Sequence, residues 1–162
     1  MSTREIWCVK VIRESESLSF ALFFFFSERF DVKGKNLLAR DYKYYAVDSG
    51  LISYLLGKKA DSDMEHILEN IVYFELLRRG YDVAIGKIGD AEIDFIATKI
   101  DEKRYIQVTE SMLSDDVRAR ELAPLKKIKD NYEKIVLSLD NGLDTSFDGI
   151  KSLRLIDWLL EE

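Results

Sequence analysis

The chain is poor in the residues on which several kinds of protein chemistry depend. Its 162 residues include one cysteine, Cys8, and one histidine, His66. A single cysteine excludes an internal disulfide and any zinc site built from several cysteines. A single histidine leaves a serine-type catalytic triad with one available base and no evident partner for it. Disulfide-stabilised folds and cysteine-zinc folds are therefore excluded.

An excess of positive charge is also missing. The sequence has 24 lysines and arginines against 30 aspartates and glutamates, which gives a formal net charge of -6. Proteins that bind nucleic acid rely on cationic side chains along the phosphate backbone, so this balance weakens a DNA-binding interpretation. A local groove can nevertheless be basic on an acidic protein, and DNA stays among the partners to be considered.

No hydrophobic run has the length of a transmembrane helix, which is about 20 residues. The strongest apolar run is LSFALFFFF, residues 18–26, and basic residues precede it. A signal peptide is one interpretation, but SERFDVKGK follows and no small-residue cleavage pattern is present. We expect a buried strand in a cytoplasmic protein, with no membrane contact. Because four consecutive phenylalanines need cover on both faces, we also predict that this region packs against a second copy.

The nucleotide-binding motif G-x-x-x-x-G-K-[ST] is absent from the sequence. The segment VKGKN has the Gly-Lys pair but lacks the upstream glycine and the hydroxyl residue. The sequence therefore predicts no ATP site in this chain. A hydrophobic content of 47% with 33% charged residues is typical of a soluble globular protein with a real core.

The pattern of apolar residues divides the chain at about residue 58. Residues 1–58 read as a β-rich segment with a short helix, Ser49–Gly57, at its end.

Residues 59–162 read as an α/β domain. A helix over Asp63–Arg79 begins at a Ser62/Glu65 capping box and stops at Gly80. Strands over 81–88, 91–98 and 104–111 follow, and then a helix over Asp115–Asn131, strands over 134–140 and 151–157, and a last helical turn over 158–162. This order predicts a mixed central sheet flanked by helices.

Acidic residues interrupt the apolar stripe of the first long helix. Helical spacing places Glu75 in the middle of the stripe and Glu69 at its edge. The apolar residues of the stripe are Met64, Ile67, Leu68, Ile71 and Val72. A carboxylate on a core-facing stripe is costly unless it is paired or bound to a cation. One interpretation is a structural ion pair or a cap, and the other is a site in which one glutamate reaches over the sheet toward Asp94.

The strands AEIDFIAT and RYIQVTES supply the rest of that candidate site. Strict alternation puts Asp94 on one face of the first strand, with Ile93 and Phe95 together on the other. In the second strand it puts Gln107 and Thr109 on one face. A tight turn pairs the strands antiparallel, so these side chains are expected to cluster under the helix. Magnesium prefers several oxygen ligands, mostly carboxylates. We predict a weak magnesium site formed by Glu69, Glu75, Asp94 and Gln107.

The segment HILENIVYFELLRRGYDVAIGKIGDAEIDFIATKIDEKRYIQVTES, with the closing strands KIVLSLD and GIKSLRLIDWLL, resembles the nuclease-like C-terminal domain of a large group of prokaryotic AAA+ ATPases. The segment RFDVKGKNLLARDYKYYAVDSGLISYLLG resembles the preceding region, where the wing of a winged-helix domain leads into the nuclease-like fold. The resemblance covers roughly residues 28–160. It implies a restriction-endonuclease-like fold of the PD-(D/E)xK type, with residues 1–58 as a wing-like remnant.

In that pattern the helix glutamate is Glu69, the central aspartate is Asp94, and the (D/E)xK triplet falls on residues 107–109. The triplet departs from the pattern twice, because Gln107 replaces its acid and Thr109 replaces its lysine. The lysine of such sites helps to activate the attacking water. Lysines migrate in this superfold, and Lys87 and Lys103 are the candidates, although surface lysines beside turns are the alternative interpretation.

Three functions follow from the resemblance and its departures. The first is a degenerate nuclease-like accessory domain of an ATPase-type protein, with a binding or regulatory role close to DNA. The second is an active magnesium-dependent nuclease that uses Glu69, Asp94, Gln107 and a migrated lysine such as Lys87. The third is a purely structural interaction module. The expected partners are DNA, an ATPase module that this chain lacks, and a second copy of the chain.

Overall fold

A computed structural model of the chain describes residues 24–50, 54, 64–142 and 145–161. Within these residues, eight strands and three helices are assigned. The strands are β1 (Phe24–Asp31), β2 (Asn36–Ala46), β3 (Asp82–Ile88), β4 (Ala91–Lys99), β5 (Glu102–Val108), β6 (Glu133–Ser138), β7 (Ser146–Phe147) and β8 (Ile150–Arg154). The helices are α1 (Met64–Arg78), α2 (Asp115–Lys126) and α3 (Leu155–Leu160).

All eight described strands belong to one mixed sheet in the order β2-β1-β3-β4-β5-β6-β8-β7. Strand β1 pairs antiparallel with β2 and parallel with β3, and β3, β4 and β5 form an antiparallel meander. Strands β5, β6 and β8 are parallel, with α2 in the connection from β5 to β6. The predicted α/β class, with a mixed sheet flanked by helices, is confirmed. The same sheet also includes the β1–β2 hairpin, which lies before residue 58.

The helices cover the two faces of the sheet separately. Helices α1 and α3 pack on one face, where Val72 and Trp158 join a cluster with Phe95 and Val108 of the central strands. Helix α2 packs on the other face, where its Leu122 and Leu125 belong to a second cluster. Strand residues alternate between these clusters because successive side chains point to opposite faces.

Helix α1 buries a different stripe from the predicted one. The buried residues are Leu68, Glu69, Val72, Tyr73 and Leu76, whereas Ile71 is 42% exposed. The helix is rotated because Tyr73 stacks on Tyr45 of β2, with ring centroids 4.0 Å apart. Glu69 therefore lies within the buried stripe and Glu75 at its border, the reverse of the prediction.

The predicted stop of α1 at Gly80 is confirmed. Gly80 has a φ of +79°, and its N–H donates to the Leu77 carbonyl while the Tyr81 N–H donates to the Leu76 carbonyl. These two hydrogen bonds form a Schellman C-cap. The cap requires a left-handed backbone conformation, which glycine adopts without strain. Helix α2 ends at Lys126 and not at Asn131, because Ile128 turns into the core and the chain then returns toward β6.

A β-bulge in β4 changes which side chains face α1. Ala84 pairs with Ile96 and Gly86 with Ile93, so two steps along β3 match three along β4. Ile93 and Ile96 consequently both pack on the α2 side, while Phe95 packs on the α1 side. The predicted shared face of Ile93 and Phe95 is therefore wrong, because the extra residue shifts the alternation.

The N-terminal aromatic run lies partly within the described residues. Phe25 is 45% exposed and Phe26 is 61% exposed, and each makes an edge-on ring contact, with Phe74 and Tyr42 respectively. The homodimer expected from this run stays a prediction. The predicted strand before residue 24, the capping box at Ser62 and most of the predicted helix Ser49–Gly57 fall outside the described residues. None of the helices described is both long and apolar enough to cross a membrane.

Candidate functional site

The candidate site lies where β4 and β5 diverge. Their pairing runs from Lys99–Glu102 to Phe95–Ile106 and goes no further. Beyond that point, Asp94 Oδ2 accepts a hydrogen bond from the Val108 backbone N–H at 2.8 Å. The Asp94 carboxylate of β4 thus binds a backbone N–H of β5 at the point where the backbone pairing of the two strands has ended. We call this opening, with Glu69, Glu92 and Asp94 around it, the acidic fork.

Glu69 of α1 meets a lysine from β2 at the acidic fork. Lys43 Nζ lies 2.7 Å from Glu69 Oε2, and the two side chains are 20% and 9% exposed. Burial by itself would raise the pKa of Glu69, but the Lys43 ammonium, with help from His66, lowers that pKa to about 2. Burial also opposes the charge on Lys43, and attraction to Glu69, Asp94 and Glu92 outweighs it and raises the lysine pKa. The pair is therefore ionised at neutral pH.

Lys43 also joins the exposed side of the fork. Its Nζ lies 3.3 Å from Glu92 Oε1, and Glu92 Oε2 lies 3.2 Å from a guanidinium nitrogen of Arg29. The β1–β2 hairpin supplies both cations, because Ser27 pairs with Lys43 and alternation then puts Lys43 and Arg29 on the α1 side. The hairpin thus neutralises two glutamates that belong to other elements.

Asp94 is 6% exposed, and its charge is disfavoured. Burial raises the pKa of its carboxyl well above the ordinary value, and the Glu69 carboxylate raises it further. Lys43 and the Val108 N–H oppose this change without cancelling it. The surroundings of the two acids therefore move their pKa values in opposite directions, down for Glu69 and up for Asp94. Two neighbouring carboxyls whose environments push their pKa values apart are common at functional sites.

A tyrosine hydroxyl faces the same acids without a hydrogen-bond partner. Tyr45 is 3% exposed, and its Oη has no partner among the described residues. Its pKa is raised by burial and then by the charges of Glu69, Asp94 and Glu92. Tyr45 follows Lys43 by two positions in β2, so both side chains point to the α1 side.

Gln107 contributes to a separate polar contact on the α2 side. Its Nε2 donates to Glu121 Oε2 at 3.2 Å, and both residues are buried. Its Oε1 is buried without a partner among the described atoms. Glu121 also accepts from Arg120 Nε at 2.8 Å. The expectation that Asp94 and Gln107 share one face is therefore wrong, because Gln107 turns toward α2 while Asp94 turns toward α1.

The other predicted site residues lie away from the fork. Glu75 pairs with Arg78 and Arg79. The hydrogen bond from Arg78 is the largest of the effects that lower the pKa of Glu75 to about 2. Lys87 is exposed on β3. Lys103 lies over aromatic rings, 4.9 Å from the ring centroid of Tyr105. The structure thus brings together Glu69 and Asp94, and does not bring Glu75, Lys87 or Lys103 to them.

Thr109, which stands where the resemblance implies a lysine, is 1% exposed. Its N–H donates to the Leu137 carbonyl, and its hydroxyl lies 3.4 Å from the Ser111 carbonyl. Both contacts are with β6 and the turn after β5. The Thr109 side chain therefore serves the local backbone and offers no positive charge to the fork.

The residues predicted to hold magnesium do not fit that ion. Of the four, only Glu69 and Asp94 lie at the fork, where Glu69 pairs with Lys43 and Asp94 accepts from the Val108 N–H. Within the described part of the chain, no three Asp, Glu, His or Cys side chains form a group suited to a metal ion. A divalent cation needs several charged oxygens directed at one point, and the Lys43 ammonium already pairs with the carboxylates of Glu69 and Glu92.

Sequence reasoning missed Lys43, Tyr45 and Glu121. The first two lie in the hairpin before α1, and no local pattern links them to Glu69.

One signal in the sequence could have indicated the bulge in β4. A glycine inside a strand often marks a bulge, and Gly86 of β3 lies opposite this one. A Cβ on Gly86 would lie 2.8 Å from Ile93 Cβ.

Comparison with known proteins gives a relative but no function. No family model matches the sequence, and no solved structure matches the chain. An uncharacterized protein of Haemophilus influenzae is 42% identical to it over 141 residues. The matched segment makes up 87% of this chain and 34% of the relative. The chain is therefore similar to an uncharacterized protein of which it spans about a third of the length.

Proposed function

We propose that this chain is a degenerate nuclease-like accessory domain, with a binding or regulatory role and no nuclease activity. The observation that carries the proposal is the state of the three residues at the positions of the nuclease pattern. Glu69 is bound to Lys43, Asp94 to the Val108 N–H, and Gln107 to Glu121. The two carboxylates and the Gln107 amide nitrogen are thus each engaged within the protein.

The restriction-endonuclease-like assignment belongs to this proposal. It is supported by the run of a helix, three antiparallel strands, a helix and a parallel strand from α1 to β6. The divergence of β4 and β5 beside Asp94 supports it as well, since that is where the resemblance implies the site. An ATPase module elsewhere in the full protein is the proposed partner, and the greater length of the relative leaves room for such a module.

A cleavage assay tests the main part of the proposal. Purified protein is incubated with plasmid and with single-stranded DNA in magnesium and in manganese, beside an Asp94→Ala control. We expect no cleavage that depends on Asp94. Loss of one electrostatic stabiliser of a developing anion costs about 10²–10³ in rate, and here both the lysine of the triplet and its acid are missing. Robust cleavage that disappears in the control would overturn the proposal.

One observation favours the active nuclease as a second candidate. Lys43 lies 2.7 Å from Glu69 and within electrostatic reach of Asp94, so it could be the migrated lysine in place of Lys87 or Lys103. In that case Lys43→Met would abolish an activity that the wild-type chain shows. Its direct contact with Glu69 argues against this role, because an ammonium bound to a carboxylate is not directed at a phosphate.

DNA association is the remaining part of the proposal. A binding assay with duplex DNA across a salt series separates a DNA-associated domain from a pure interaction module. Phosphate contacts release counterions, so an affinity that falls steeply with salt supports DNA association. If the domain binds no DNA even at low salt, we assign it to the pure interaction modules, which contact other proteins only.

A further inference from the structure

The side chains around the acidic fork suit a cation, and the ammonium group of Lys43 already occupies that place. Lys43 Nζ is 2.7 Å from Glu69 and 3.3 Å from Glu92, so its ammonium contacts carboxylates of both α1 and β4. Lysine brings one charge and three donors, whereas a divalent ion brings two charges and needs about six oxygens. Both kinds of cation require the same carboxylate of Glu69, so they compete for it.

A second observation, independent of the acids, also points to a cation. Tyr45 Oη is buried and has no partner among the described residues, and Tyr45 lies on the same face of its strand as Lys43, two positions further along. A buried polar oxygen without a partner is uncommon in proteins. Beside a lysine and three acids, this oxygen is a further neutral ligand that the ammonium of Lys43 does not use.

We propose that Lys43 is the resident cation of the acidic fork, and that it keeps Glu69, Glu92 and Asp94 from binding a divalent metal ion. This inference rests on the proposed function, because it explains why a nuclease-like frame holds no metal-binding constellation. Lys43 then acts as a built-in inhibitor of metal binding. Removing its charge leaves the carboxylates, the Tyr45 hydroxyl and the vacated space to a divalent ion.

The test measures Mn²⁺ binding by electron paramagnetic resonance and by calorimetry at neutral pH. The variants are Lys43→Met, Lys43→Arg and the double variant Lys43→Met/Glu69→Gln. Lys126→Met is the matched control, since Lys126 forms a lysine–carboxylate pair with Asp148 on the surface, away from the fork. We expect Lys43→Met to bind Mn²⁺ on the order of tenfold or more tighter than wild type, because a repelling charge is removed.

The other variants identify the site of that binding. Lys43→Arg and Lys126→Met are expected to bind no better than wild type, and the double variant is expected to lose the gain. Wild type that binds Mn²⁺ as tightly as Lys43→Met would overturn the inference. A folded Lys43→Met protein with no gain, or a gain that survives Glu69→Gln, would do the same.

Lys43→Met leaves a buried carboxylate unpaired, so its folding is measured as well. If it is unfolded without metal, Mn²⁺ is expected to restore the folded state, while the double variant folds without metal. A double variant that folds beside a single variant that millimolar Mn²⁺ does not rescue contradicts the inference. None of these outcomes decides whether the wild-type chain cleaves DNA, so the proposed function fails or stands on the separate cleavage assay.

Discussion

Asp94 and Gln107 lie on adjacent strands, but their side chains turn to opposite faces of the sheet. Asp94 accepts from the Val108 N–H and interacts with Glu69 on the α1 side, whereas Gln107 donates to Glu121 on the α2 side. Restoring an acid at position 107 would therefore not rebuild a site around Asp94.

Gln107→Glu is expected to destabilise the protein without creating activity. The new carboxylate would lie against the buried Glu121, and a buried polar contact that turns repulsive costs about 1–3 kcal/mol. The free energy of unfolding in urea measures this cost. The double variant Gln107→Glu/Glu121→Gln restores one donor and one acceptor, so we expect it to recover most of the loss. Cleavage activity in Gln107→Glu would contradict the placement of this residue on the α2 side.

Glu69→Gln is expected to destabilise the chain by about 2–3 kcal/mol at neutral pH, because it leaves Lys43 partly buried without its closest carboxylate. The lowered pKa of Glu69, about 2 against an ordinary value of 4.5, sets the pH window. Its stabilising contribution is present above about pH 4.5 and is lost as the pH falls through about 2. The difference between wild type and Glu69→Gln should therefore shrink over that range. A difference that does not change with pH would show that the ion pair is not its source.

Asp94→Asn is expected to show the opposite pH dependence. The pKa of Asp94 is raised in the folded state by burial and by Glu69, so folding favours its protonated form. That contribution is fully present below the ordinary pKa of 3.8 and is lost as the pH rises through the folded value. Asparagine keeps an acceptor for the Val108 N–H and does not ionise. The stability of Asp94→Asn relative to wild type should therefore increase with pH above about 4, as measured by urea unfolding.

Arg79→Ala is expected to cost more stability than Arg78→Ala, although both arginines pair with Glu75. Arg78 is 65% exposed, and an exposed ion pair contributes about 0–1 kcal/mol. Arg79 is 17% exposed, and its guanidinium also donates to the Trp158 and Glu161 carbonyls at the end of α3. Its loss leaves the carbonyl of the buried Trp158 without this donor, and an unsatisfied buried acceptor costs about 1–3 kcal/mol. Equal losses in thermal denaturation would contradict this assignment.

Gly86→Ala is expected to destabilise the sheet through a clash, and Gly89→Ala through its backbone. A Cβ at position 86 would lie 2.8 Å from Ile93 Cβ, and overpacking of this kind costs about 1–3 kcal/mol. At position 89 there is open space but a φ of +65°, which costs about 1 kcal/mol for alanine. Replacing Ile93 by alanine as well should not rescue Gly86→Ala, because alanine keeps the Cβ that lies 2.8 Å away.

Local patterns in the sequence were sufficient to predict the central elements. Alternating apolar residues and short turns predicted the β3–β4–β5 meander, and the glycine after α1 predicted its end. The same reasoning placed Glu69 and Asp94 in one neighbourhood, which the structure confirms. These predictions held because each depends on residues that are close together along the chain.

The errors arose where distant contacts override a local pattern. The apolar Ile67 and Ile71 suggested a stripe centred near Glu75, but the stack of Tyr73 on Tyr45 rotates the helix and buries Glu69. The bulge in β4 reverses the alternation after Asp94, and a period of two cannot reveal it. Lys43 was missed because it comes from a hairpin with its own pattern.

The contact between Lys43 and Glu69 has a consequence for how this protein can evolve. Each of these residues is costly to keep without the other, because the loss of Lys43 leaves the buried Glu69 carboxylate without its closest cation, and the loss of Glu69 leaves Lys43 with only the longer contact to Glu92. Homologous chains are therefore expected to change positions 43 and 69 together. A homologue that keeps the glutamate while losing the lysine would be the one in which to look for a working metal site.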